Sequence, residues 1–198
     1  MKITFSEPGL PKSGTVIVCI GDGGKLSTTA RQLDKAAGGA VSRAIKESRF
    51  SGKKGQFVDI LAPAGVAYGR FVLAGVGKGL DETGQQALGG RLFARLNQAG
   101  IKSAHISVEA MGKNLASSAA NIAYGAQLRS YRFDKYRTKE KADAKPTLRT
   151  FALRVTGAAA ARREFATLER IAEGVFFTRD LVSEPPNVLY PESFAKEV

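Results

Sequence analysis

The chain has 198 residues, of which 43% are hydrophobic and 24% charged, so it is long enough to bury one substantial core and too apolar to stay disordered. Its only Cys is Cys19 and its only His is His105, which excludes a disulfide framework, a Cys-rich zinc site and any site built on two imidazoles. Thirty Lys and Arg against 18 Asp and Glu leave a formal charge of +12, which calls for an acidic partner or else marks a basic fragment whose acidic remainder lies elsewhere. The N-terminus Met1-Lys2-Ile3-Thr4-Phe5 has no signal-like region and the apolar run 16–20 is too short to span a bilayer, so the reading is a cytoplasmic protein with no membrane partner.

Short runs rich in Val, Ile, Leu and Phe, each bounded by Gly, Pro or charge, predict about six strands at 2–5, 15–20, 56–61, 70–75, 105–109 and 150–155. Helical patterns fall between them. Ser27 or Thr28 caps a segment that runs, with an interruption at Gly38-Gly39, to about Ser48. Asp81 caps a second helix carrying Leu88, Leu92 and Leu96 and ending at Gly100. A third starts near Asn114 with Leu115, Ala119, Ile122 and Ala126 on one stripe. A fourth starts near Ala159, turns Phe165, Leu168, Ala172, Val175 and Phe176 to one side, and runs into Pro185-Pro186, which forces an extended exit. Alternating strands and helices argue for an α/β fold with a parallel or mixed sheet. Residues 137–146 are charged and lack any aliphatic side chain larger than Ala, so they read as an exposed loop and the most mobile internal segment. After the double proline, Pro191 to Val198 begins a helical pattern whose Phe194 and Val198 need a partner surface, as if a second domain starts there.

Several chemically suggestive residues have a plain structural reading. Gly21-Asp22-Gly23-Gly24 and Gly75-Val76-Gly77-Lys78-Gly79 follow strands, where backbone N–H groups can cradle phosphate, but neither completes a nucleotide-binding pattern and both read as tight turns with Lys78 a loop lysine. Cys19 lies in the most apolar strand and reads as a buried thiol, and His105, at the start of its strand, as a structural or surface histidine. The charge excess is clustered: residues 31–54 and 129–149 each carry a net of +5. Within the second, Arg129, Arg132, Lys135, Arg137, Lys139 and Lys141 interleave with Tyr131, Phe133 and Tyr136. Either the cations contact nucleic-acid phosphates with the aromatics beside them, or the aromatics pack and the cations are merely solvated.

The stretch Thr178-Arg179-Asp180-Leu181-Val182-Ser183-Glu184-Pro185-Pro186-Asn187-Val188-Leu189-Tyr190-Pro191-Glu192 closely resembles the linker helix and double-proline exit of the leucyl (cytosol) aminopeptidase family, with Ser183 standing where the family usually carries Asn. Ser130-Tyr131-Arg132-Phe133-Asp134-Lys135-Tyr136-Arg137-Thr138-Lys139 is similar to the family segment that follows the third helix of its N-terminal domain, and Gly75 to Gly79 has the matching spacing before the Asp81 helix. The resemblance covers essentially the whole chain. It implies a macro-domain-like mixed sheet flanked by helices and followed by a linker helix, with a domain at 1–158, the linker helix and exit at 159–187, and the start of a catalytic domain at 188–198. It also implies what the longer protein does: a homo-hexamer whose catalytic domains hold two divalent ions, manganese or zinc, and release N-terminal residues from peptides. The N-terminal domain is then non-catalytic, carries no metal or catalytic residue, partners its own catalytic domain and helps build and gate the hexamer. Some bacterial members of the family also bind DNA through this domain, so the six cations above are the candidate nucleic-acid residues.

Overall fold

The computed structural model describes residues 1–141 and 144–198. Six strands form one sheet in the order β1-β6-β5-β2-β4-β3. They are β1 (Lys2–Ser6), β2 (Thr15–Gly21), β3 (Phe57–Leu61), β4 (Arg70–Gly77), β5 (Ser103–Ser107) and β6 (Thr150–Arg154). All neighbours run parallel except β3, which pairs antiparallel with β4 at one edge. The mixed α/β reading of the sequence is therefore correct.

β2 sits at the centre because its run Thr-Val-Ile-Val-Cys-Ile is apolar on both faces, as a strand covered from both sides must be. Ile17 and Cys19 point into a large core beneath one face, with Leu92, Leu96, Ile106, Ile122, Phe151 and Leu153. Val16, Val18 and Ile20 point the other way, into a smaller core with Leu33, Val41, Phe71 and Leu73. The smaller core is closed by α1 (Thr28–Ala36) and α2 (Ala40–Glu47), and Gly38 and Gly39 separate these two helices at φ +57° and +82°, a conformation that favours glycine.

The larger core is closed by α3 (Glu82–Gln98), α4 (Leu115–Ser130) and the first half of α5 (Ala158–Ser183), and a short α6 (Pro191–Glu197) follows the double proline. The helix starts expected from the sequence are capped: Ala30 N donates to Ser27 Oγ at 3.2 Å, Gly84 N to Asp81 Oδ1 at 2.9 Å and Ser117 N to Asn114 Oδ1 at 3.2 Å. Gly89 and Gly125 let α3 and α4 touch backbone to backbone, since a Cβ at Gly125 would stand 1.9 Å from the Gln86 carbonyl oxygen and one at Gly89 the same distance from that of Ile122.

One strand is displaced from its expected position. The run expected at 105–109 forms at Ser103–Ser107, because Glu109 has turned out of the sheet to satisfy the start of α1. Its carboxylate accepts from Thr29 N and from Thr29 Oγ1, both at 2.9 Å. Residues 142–143 of the expected loop at 137–146 lie outside the described residues.

Candidate functional site

The two stretches that carried the family resemblance meet in space. As the chain leaves α4, Tyr131 turns onto the long helix, where its hydroxyl donates to Asp180 Oδ1 at 2.8 Å and its ring packs 5.3 Å from that of Phe176. The Arg179 guanidinium lies 3.9 Å over the same ring, a close cation–π contact. Four residues on, Lys135 Nζ reaches Glu184 Oε1 at 2.6 Å while the Tyr136 hydroxyl donates to Glu184 Oε2. Glu184 is the residue before Pro185, so the end of the long helix is held at two points by the segment that follows α4.

The electrostatics follow from this pairing. The Lys135 and Tyr136 hydrogen bonds hold the Glu184 carboxyl below the usual carboxylate range, although its side chain is only 10% exposed. Glu140 is likewise held down, chiefly by Arg132, whose Nη2 lies 2.5 Å and 2.6 Å from its two oxygens. Arg132 also donates to the Ala144 carbonyl at 3.2 Å and lies 3.7 Å from Asp134. Burial and the Asp180 bond push the Tyr131 hydroxyl above its ordinary value.

Of the six candidate cations, Arg132 and Lys135 therefore spend their charge on Glu140 and Glu184. Arg129, Arg137, Lys139 and Lys141 are exposed and form no ion pair among the described residues. Arg137 is close enough to Glu140 to help lower its pKa. The partners Arg179, Asp180 and Glu184 were within the resemblance, yet nothing in their spacing said that they would face residues 131–136.

The glycine-rich turns are filled by the chain itself. Gly77 N donates to the Gly52 carbonyl and Gly75 N to the Gln56 carbonyl, both at 2.8 Å, so segment 52–56 occupies the carboxyl ends of β2 and β4. Cys19 is enclosed in β2, and burial pushes its thiol up to about 12. His105 lies mid-strand beside Val16 and Ala152, not at the strand start, and burial and the nearby Arg154 lower its pKa. Among the described residues no group of three or more His, Cys, Asp and Glu side chains could hold a metal ion, so the donor set does not fit a two-metal centre. No helix among them is long and apolar enough to cross a membrane.

Comparison with known proteins places these features in one family. Residues 17–140 match the profile described as the cytosol aminopeptidase family, N-terminal domain. A probable cytosol aminopeptidase of Caulobacter vibrioides is 38% identical over 98% of this chain and 40% of its own length. One from Rhodopseudomonas palustris strain TIE-1 is 37% identical over 99% of this chain and again 40% of its own. The chain thus spans about 40% of the length of the curated relatives it matches. Among solved structures, a tomato leucine aminopeptidase mutant shares the fold at a TM-score of 0.82 and 23% identity, covering 99% of this chain and 41% of that one. The bottromycin maturation enzyme BotP in complex with Mn does so at 0.63 and 22%, covering 92% of this chain and 34% of that one. With the profile match running from β2 through β5 and covering α1 to α4, the chain belongs to the cytosol aminopeptidase family, of which it is an N-terminal domain.

Proposed function

We propose that this chain is the non-catalytic N-terminal part of a two-metal aminopeptidase of the cytoplasm, which releases N-terminal residues from peptides and assembles as a hexamer. The division is the one the sequence reading gives, with the domain at 1–158, the linker at 159–187 and the first residues of a catalytic domain at 188–198. The two divalent ions, manganese or zinc, and the residues that hold them then belong to the part of the relatives that this chain does not span. The N-terminal domain's contribution is to hold the linker helix in a fixed direction, to help build the hexamer and to shape access to the active sites.

The observation that carries this reading is the unpartnered apolar surface along the second half of α5 and past the double proline. Ile171, Phe177, Val182, Tyr190, Phe194 and Val198 are between 44% and 81% exposed, in the second half of α5 and in the segment Tyr190 to Val198 that contains α6, whereas Phe165 and Ala172 of α5 are buried. A run of large side chains of this kind marks a surface that another body covers. The test compares this chain with a version extended by the missing segment of a relative. Metal-dependent hydrolysis of a leucyl amide and hexamers in sedimentation are expected of the extended protein only. Hydrolysis by residues 1–198 above contaminant controls overturns the reading.

A second reading, duplex DNA binding, is favoured by the charge of +12 together with cations that form no ion pair among the described residues. It predicts binding that weakens steeply with salt, by about 0.9 in log K per log salt for each phosphate contacted.

A further inference from the structure

Resting on that second reading, we infer that the duplex-binding surface is centred on α3, with Lys54 and Arg91 along one flank and Arg129 along the other, and not on residues 132–141. The segment 53–55 lies against α3: Lys54 Nζ stands 3.3 Å from where a Cβ on Gly84 would be, and Arg91 Nη1 stands 3.0 Å from the corresponding position on Gly55. Gly84 and Arg91 are seven residues apart, about 10 Å along the axis of α3, and the adjacent residues Lys54 and Gly55 meet the helix at these two points. On the opposite flank, Arg129 Cβ lies 3.6 Å from the Cβ position of Gly90. Lys53 and Lys78 are exposed in the loops that border the same end of α3. The fold thereby joins the two basic stretches that the sequence keeps about 75 residues apart, and α3 is the element between them.

Charge availability favours this surface. Among the described residues, none of Lys53, Lys54, Lys78, Arg91 and Arg129 forms an ion pair, while Arg132 and Lys135 are both taken. The carboxylates at this end of α3 are Asp81, which caps the helix, and Glu82. Between the flanks α3 presents Thr83 and Ala87, both exposed, and the half-buried Gly90 and Ala94, a floor of small side chains over which a phosphate backbone can lie close to the cations. That floor has no large apolar residue to insert into a bilayer and no aromatic anchor of the kind a protein partner's pocket takes. Free cations beside a smooth floor fit the sugar-phosphate backbone, which makes the binding indifferent to base sequence.

The experiment measures fluorescence anisotropy of a labelled 30-base-pair duplex with residues 1–198, from about 50 mM salt upward. The triple variant Lys54→Ala, Arg91→Ala, Arg129→Ala is expected to lose at least tenfold in affinity at low salt and to flatten the log–log salt slope by about 2 to 3 units. The double variant Lys139→Ala, Lys141→Ala is expected to stay close to the parent. Lys54→Arg with Arg91→Lys, which keeps every charge, is expected to restore the parent's slope and guards against a folding defect. If the double variant loses the binding and the triple variant keeps it, the α3 placement is wrong while the DNA reading survives. Absence of binding by the parent chain at 50 mM salt overturns both. Equal competition by polyglutamate, or equal binding to vesicles rich in anionic lipid, shows a partner of another class and overturns the assignment to DNA.

Discussion

Lys135 Nζ and Glu184 Oε1 are 2.6 Å apart, and that pair joins the segment leaving α4 to the last residue before the double proline, 49 positions later in the chain. Tyr136 donates to the second oxygen of the same carboxylate, so Glu184 has both oxygens occupied. A carboxylate held on two sides fixes the direction in which Pro185-Pro186 leads the chain away, and hence the placing of α6.

Replacing Glu184 with Gln keeps the shape and removes the charge that Lys135 pairs with. Amide exchange in residues 178–197 is expected to quicken several-fold, with exchange in β2, β4 and β6 unchanged. Equal acceleration in the central strands means that the pair supports the whole domain, and no acceleration anywhere means that it holds nothing.

The same carboxylate makes the clamp sensitive to acid. Glu184 and Glu140 are both held below the value of about 4.3 that a free Glu has, so their pairings contribute fully above that pH. The contribution is lost as pH falls through the depressed folded values. Exchange at residues 178–197 measured from pH 7 down to pH 3, corrected for the intrinsic rate, is expected to rise below about pH 4.3. In Glu184→Gln that rise is expected to shrink.

How far the sequence reaches can be seen at particular residues. Asp81 caps the helix it was expected to cap, Ser27 rather than Thr28 caps α1, and Asn114 caps the helix expected to start near it, because capping is decided within three or four residues. The run Val16 to Ile20 likewise marks β2 as the most apolar strand from local pattern alone, and the structure covers it on both faces. Glu109 shows the limit: it ends β5 early because its partner, Thr29, is 80 positions away. The basic stretch 129–141 shows it again, since the residues that neutralise Arg132 and Lys135 are decided by tertiary packing and cation spacing carries no trace of them. The approach of Lys54 and Gly55 to Gly84 and Arg91 of α3 is of the same non-local kind.

Burial of Cys19 gives a chemical readout of the core. With its thiol pushed up to about 12 and no surface exposure to speak of, almost no thiolate is available at pH 8. Reaction with a disulfide reagent is expected to be negligible in the folded chain and rapid in denaturant. A fast reaction under native conditions contradicts the enclosed position of β2.

Two glycines in helices have opposite surroundings and predict opposite outcomes. At Gly125 a Cβ would stand 1.9 Å from the Gln86 carbonyl oxygen and 2.7 Å from Gln86 Cα, so Ala there must push α3 and α4 apart. Overpacking of this kind typically costs about 1–3 kcal/mol. At Gly174, inside α5, nothing lies within 4 Å of an added Cβ. Ala at that position lowers the entropy of the unfolded chain and is expected to stabilise by about 0.5–1 kcal/mol. Thermal melts of the two single variants decide the matter. A lower midpoint for Gly125→Ala and a higher one for Gly174→Ala are expected, because the first residue is required by the contact between two packed helices while the second faces open space. If both variants melt higher, α3 and α4 have room to separate and the glycine contact is not what sets their distance. If both melt lower, α5 needs the bare backbone at Gly174 for a contact that the isolated domain itself makes.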